Sequence, residues 1–269
     1  MFDIITDFSC DLPQEILERY EIKRVPMYIV NNNEKIKVDD NFDYIKDFYK
    51  NEQLYSLWLQ GKLKTSQPAI KDFLDVIQSS QSKDILIITL SSKLSGTYNV
   101  AKSAARLLKA KGYNIIVFDS KTVSAGLGLY VQVAAKLREE GESIEGVVNA
   151  LSKLEVKLFA VPMDIKYLLN SGRLNIVKYV LLKISNKKPM LTIDNGELVL
   201  YKLLGDPMEE LTNMVKGQRM FLFGGTLDFI DKLPEPKVLV SPVIAVNSGP
   251  IVGLSYIENS SLERIGIRF

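Results

Sequence analysis

The chain has 269 residues, 46% of them hydrophobic, with 34 basic against 32 acidic side chains for a net charge of +2. That near balance gives no electrostatic case for nucleic acid, and no nucleic-acid-binding motif is present. One cysteine and no histidine exclude an internal disulfide, a cysteine zinc cluster and every Ser-His-Asp or Cys-His arrangement. No metal or cofactor is therefore expected, and any proton transfer falls to Asp, Glu, Lys, Tyr or water. No apolar run reaches the roughly 18 residues of a membrane span. The opening stretch has no basic segment ahead of an apolar core, so a cytoplasmic protein without a signal peptide is expected.

Residues 2–6 read as a short strand running into Thr6-Asp7-Phe8-Ser9-Cys10-Asp11-Leu12-Pro13. Pro13 suits the first turn of a helix continued by Glu15, Ile16, Leu17 and Tyr20, with Asp11 as its expected cap. Asp7 stands where a strand end points into a crevice, and Cys10 reads as a small core residue. A second strand is expected over 22–30 and a return strand over 35–38. Asp39-Asp40-Asn41 reads as a turn and cap, because the spacing of a calcium loop does not follow. Residues 42–58 form one or two amphipathic helices with Trp58 in the core.

Lys64-Thr65-Ser66-Gln67-Pro68-Ala69 is a hydroxyl-rich turn before a helix whose apolar face holds Phe73, Leu74, Val76 and Ile77. The central stretch is 85–99, I-L-I-I-T-L-S-S-K-L-S-G-T-Y-N. Its apolar, β-branched start is that of a strand buried on both faces of a parallel sheet. Ser91, Ser92, Ser95, Gly96 and Thr97 follow, and then Ala101, Ala104, Ala105 and Leu108 recur at helical spacing up to Gly112. A hydroxyl-rich turn between a parallel strand and a helix N-terminus suits an oxyanion or carboxylate, while Ser95 or Thr97 caps the helix. The Thr65-Ser66 turn adds neutral donors at the same sheet edge.

A strand over 114–118 and a helix over 124–140, closed by Gly141, come next. Gly126 and Gly128 cost that helix about 1 kcal/mol each and signal close approach by backbone or ligand. A further helix spans 143–157. Beyond it the pattern changes to strands at 159–163, 220–223, 238–240, 243–246 and 251–256, short helices at 164–169 and 207–215, and a hairpin of 189–194 with 197–203 around Asn195-Gly196. The expected fold is α/β in two domains. An N-terminal parallel-sheet α/β/α domain spans 1–155, and a C-terminal α/β domain with a mixed sheet spans 156–269, with a ligand cleft between them.

Six segments resemble, in order, the DegV family of bacterial lipid-binding proteins: 6–13, 64–69, Ser91-Ser92-Lys93-Leu94-Ser95-Gly96-Thr97-Tyr98, Phe118-Asp119-Ser120, 167–173 (Y-L-L-N-S-G-R) and Ser248-Gly249-Pro250. The resemblance implies a long-chain fatty acid lying between the two domains, its carboxylate held by Thr65 and Ser92 with Ser66, Ser91, Ser95, Gly96 and Thr97 close by. It implies a carrier that is not itself the catalyst, presenting the fatty acid to a separate fatty-acid kinase that forms an acyl phosphate. Arg173 then lies near the ligand entrance or the partner-facing surface. Where the family carries His-x-Gly-Pro-Gly, this chain reads Asn247-Ser248-Gly249-Pro250-Ile251. Asn247 donates a hydrogen bond but does not titrate. Two other readings compete: a serine hydrolase without histidine, using Ser91 or Ser92 with Lys93, and a sensor of a small anionic metabolite that needs no acyl tunnel.

Overall fold

The computed structural model describes residues 2–174 and 187–267. The chain opens with β1 (Asp3–Asp7), α1 (Gln14–Arg19) and β2 (Lys23–Val25), followed by β3 (Met27–Asn31) and β4 (Glu34–Val38). A π-helical turn at Tyr44–Tyr49 leads into α2 (Glu52–Leu59) and β5 (Lys64–Ser66). Then come α3 (Ile70–Gln78), β6 (Asp84–Thr89), α4 (Thr97–Lys109), β7 (Asn114–Asp119), α5 (Ala125–Glu139) and α6 (Ile144–Ser152). The later part holds β8 (Val156–Pro162), α7 (Lys166–Asn170), β9 (Lys188–Asp194), β10 (Glu197–Leu204), α8 (Pro207–Met214) and β11 (Met220–Gly225). It closes with α9 (Leu227–Ile230), β12 (Lys237–Leu239), α10 (Pro242–Ser248), β13 (Ile251–Ile257) and α11 (Asn259–Arg264).

The strands form three sheets. A parallel sheet has the order β2-β1-β6-β7, and a mixed sheet has the order β10-β9-β8-β13-β11-β12, in which only β11 and β12 run parallel. A small antiparallel sheet, β4-β3-β5, stands apart. The core of β6, Ile85 to Ile88, is fully buried because α3 and α4 cover one face of the parallel sheet and α5 the other. Helix α5 also packs on β8, β11 and β13, which explains why its residues 125–131 are buried without interruption. The outer face of the mixed sheet carries α8 and α9 over Phe159, Val161, Phe223 and Leu254. Successive layers are thus helices, parallel sheet, α5 and α6, mixed sheet, helices.

Most elements lie where periodicity puts them, and the differences have local causes. The strand expected over 22–30 is broken at Pro26, which has no N–H for a ladder. As a result β2 joins the parallel sheet while β3 pairs with β4 and β5. Residues 64–66, expected as a turn, are a strand on β3. The segment 243–246, expected as a strand, is helical in α10, with Pro242 in its first turn. Asp11 does not cap α1, whose N-cap is Pro13. It binds elsewhere, as described below. Trp58 is fully buried and donates to Ala245 O at 2.7 Å, a core role as expected. Cys10 is buried, and burial pushes its thiol up. Gly126 and Gly128 are required by protein packing: a Cβ on Gly128 would lie 2.7 Å from Asp11 O, and one on Gly126 2.5 Å from Thr122 Oγ1. Among the described residues no helix is long and apolar enough to cross a membrane, and no acidic, cysteine or histidine cluster suits a metal.

Candidate functional site

The parallel sheet ends at a cavity that the mixed sheet closes from the other side. The loops after β1 and β6 contribute Ser9, Leu90, Leu94 and Ser95, and β5 with the residues after it contributes Thr65 and Gln67. The entry to α5 brings Val123, Ser124 and Ala125, and α10 brings Val243, Ile244, Asn247 and Ser248. Leu158, Ala160, Gly224, Gly253 and Ser255 come from the mixed sheet, with Leu191 and Leu198 from the β9–β10 hairpin. Counted with its open mouth, the empty space among these side chains is about 1020 Å³.

Its floor is shaped by register. Ala160 pairs with Gly253 and Gly253 with Gly224, while Leu191 lies opposite Ala160. Three adjacent strands therefore present almost no side chain in one transverse row, leaving a trough across the sheet. Most of the remaining lining is Leu, Val, Ile and Met, an apolar surface that favours an apolar occupant.

The polar groups of the cavity include a connected set. Asn247 Nδ2 donates to Thr65 Oγ1 at 2.9 Å and to Val243 O at 2.8 Å. Arg173 Nη1 donates to Asn247 Oδ1 at 2.7 Å, and its Nε to Leu94 O at 3.1 Å. A guanidinium only donates, so it fixes the amide with Oδ1 toward Arg173 and Nδ2 toward Thr65. The threonine hydroxyl accepts from Asn247 Nδ2 and donates weakly to Asn247 Oδ1 at 3.3 Å, an oxygen it shares with Arg173. A second, polar cleft lined by Lys64, Asn170 and Ser171 shares Thr65, Arg173 and Asn247. These three side chains therefore stand in the wall between an apolar chamber and a polar one. Arg173 has no carboxylate partner among the described residues, and burial alone pulls its guanidinium down from its ordinary value. A half-buried cation without a counter-charge, at the head of an apolar cavity, is suited to an incoming anion.

Of the residues expected at a binding site, Thr65, Ser95, Asn247 and Arg173 line the cavity, whereas Ser66, Ser91, Ser92, Gly96 and Thr97 do not. Ser91 Oγ donates to Gly196 O at 2.7 Å, tying the β9–β10 hairpin to the serine turn. Asp119 Oδ1 accepts from Ser92 N at 3.2 Å, and Ser95 Oγ and Thr97 Oγ1 share a hydrogen bond of 2.9 Å at the start of α4. Gly96 leaves room for the Gln67 side chain, which a Cβ would strike. Lys93 is exposed, 3.9 Å from Glu197, so it forms no nucleophile–base pair with Ser91. Ser91→Ala is expected to cost about 1–2 kcal/mol of stability, read by urea denaturation, because Gly196 O and Lys93 N both lose their partner. Ligand affinity should change by less than about twofold, as for a group outside the cavity.

Sequence reasoning did not find Gln67, Ser124, Gly253 or Ser255 as lining residues. The glycine in the Ile251–Ile257 strand was the available signal, since glycine inside a strand marks close approach.

Comparison with known proteins agrees with this architecture. Residues 1–218 match the family model described as uncharacterised protein, DegV family. A DegV domain-containing protein of Staphylococcus aureus is 34% identical over 201 residues, covering 73% of this chain and 69% of that one. A fatty acid-binding protein of Thermotoga maritima is 31% identical over 213 residues, 76% and 71% of the two chains. The crystal structure of a stearic acid-binding protein from Eubacterium ventriosum superposes with a TM-score of 0.81 at 22% identity over 96% of this chain and 98% of that one. On sequence and on fold alike, the chain belongs to the DegV family.

Proposed function

We propose that the protein binds one long-chain fatty acid in the cavity, as a carrier rather than a catalyst, in the bacterial cytoplasm. The observation that carries this reading is the half-buried Arg173 guanidinium, without a carboxylate partner among the described residues, at the polar wall of an apolar chamber. The carboxylate meets Arg173, the Thr65 hydroxyl and Ser95. Ser92, whose hydroxyl has no hydrogen-bond partner among the described residues, stands on the same turn as Ser95. The tail follows the trough beneath Gly224, Gly253 and Ala160. Burying about fifteen methylenes at about 0.8 kcal/mol each supplies on the order of 12 kcal/mol before the costs of association, so the tail dominates affinity and the head sets orientation.

The division at residue 155 belongs to this reading: 1–155 supplies the hydroxyl turns and 156–269 the trough. The polar cleft behind Thr65, Arg173 and Asn247 gives the bound carboxylate a second approach, which suits presentation to a separate kinase that phosphorylates it. A chamber lined mostly by apolar side chains favours an acyl ligand over a small anionic metabolite.

Native mass spectrometry of the purified protein, followed by denaturing extraction and lipid identification, tests the reading. A fatty acid at one per chain is the expected result. A protein that is isolated empty and takes up no stearate or oleate overturns it.

A further inference from the structure

Most polar side chains in the cavity wall have partners, which makes Ser255 conspicuous. It is 1% exposed, its Oγ has no hydrogen-bond partner among the described residues, and it lines the cavity. The other buried side-chain oxygens without a partner there, on Thr6, Thr89, Thr122, Ser241, Tyr44 and Gln218, belong to residues that do not line it. Strand alternation puts Ser255 on the same face as Gly253. Its cross-strand neighbours there are Leu158 and Leu222, so no group in its own row can satisfy the hydroxyl. A serine in this setting is destabilising unless something in the cavity completes its bonding.

Two more serines in the wall have fixed polarity. Ser9 Oγ donates to Asp7 and Ser124 Oγ donates to Asp11, so both offer only lone pairs to the cavity. The wall therefore provides acceptors at Ser9 and Ser124 and a free donor at Ser255, a combination that a plain hydrocarbon tail leaves unused. Ser255 lies four residues along β13 from Ile251, roughly 13 Å, while Asn247 precedes the strand. This favours a hydroxyl farther down the tail over one beside the carboxylate.

We propose that Ser255 is a specificity-determining residue that reads an oxygen on the ligand tail, and that the preferred ligand class is a fatty acid hydroxylated away from its carboxylate. This inference rests on the fatty-acid reading above. The ligand hydroxyl accepts from Ser255 Oγ, whose proton has no other acceptor among the described residues, while the flanking trough takes the methylenes on either side.

The test is titration of delipidated full-length protein with stearic acid and with hydroxystearic acids bearing the hydroxyl next to the carboxylate, at mid-chain and near the methyl end. A mid-chain or distal hydroxy acid should bind about threefold to tenfold more tightly than its weaker isomers, the worth of one net hydrogen bond. Ser255→Ala should erase that preference, bringing the ratio of affinities between isomers to about one, with a melting temperature no lower than that of the unsubstituted protein. Isomers bound equally, or a preference that survives in Ser255→Ala, overturns this inference and leaves the fatty-acid reading standing. A protein that binds none of the acids overturns both.

Discussion

Replacing Arg173 with methionine is expected to weaken fatty-acid binding by about 10²- to 10³-fold, the loss of roughly 3–4 kcal/mol seen when one partner of a buried charge-assisted contact is removed. The apo protein should respond quite differently. Arg173 donates to Leu94 O, Ser171 O and Asn247 Oδ1, but it has no counter-charge among the described residues, and its desolvation offsets much of what those bonds contribute. The apo variant should therefore remain within about 1 kcal/mol of the original in chemical denaturation. A structural ion pair would behave in the opposite way, losing stability first. Arg173→Lys should fall between, because a point charge cannot hold the amide of Asn247 and meet a carboxylate with one planar fork. Isothermal titration with stearate, paired with urea melts of the ligand-free protein, separates the two roles. A variant that loses stability and keeps its affinity would remove Arg173 from the head site.

That role was only partly legible in the sequence. The alternation of strands and helices through residue 152 could be read because β6 is a continuous apolar run and α4 keeps a strict helical face, and Asn195-Gly196 marked its hairpin directly. The segment 243–246 misled for a definite reason: V-I-A-V is short, apolar and β-branched, and its period cannot separate a buried strand from one turn of buried helix. Pro242 after Ser241 was the better guide. At the site, Thr65 and Asn247 are 182 positions apart in the chain, and their hydrogen bond follows from where β5 and α10 pack. The trough is harder still to foresee. Ala160, Gly224 and Gly253 are ordinary residues until the register of three strands sets them side by side. Hydroxyl-rich turns announced a polar end to the cavity, while the missing counter-charge of Arg173 and the unpartnered hydroxyl of Ser255 depend on what every neighbouring element declines to offer.

Asp11 carries the second large effect, and it concerns stability rather than binding. Its Oδ1 accepts from Ser241 N at 3.0 Å and its other oxygen from Ser124 Oγ, so one buried carboxylate joins the loop after β1 to the entries of α5 and α10. Asp11→Ala strands both donors and should cost about 3 kcal/mol. Burial pushes the Asp11 carboxyl up to about 6, against the pull of Ser124, Ser241 and the distant charge of Arg24. The folded protein therefore holds this proton at a pH where the unfolded chain has released it. Between about pH 4 and pH 6 the folded state binds more protons, so stability falls as pH rises, by about 3 kcal/mol at 1.36 kcal/mol per pKa unit. Buried Asp7 is shifted in the same direction by the same cause and adds to the slope. Asp39 and Glu155 are shifted down, so what they contribute is lost only at lower pH. Asp11→Asn keeps an acceptor for Ser241 N and cannot ionise. Its denaturation midpoint should vary much less than the original's across that window and exceed that of Asp11→Ala at neutral pH. A midpoint in the original protein that rises from pH 4 to pH 6 would mean that Asp11 is held ionised by its donors, and that the loop is clamped by charge rather than by the two hydrogen bonds alone.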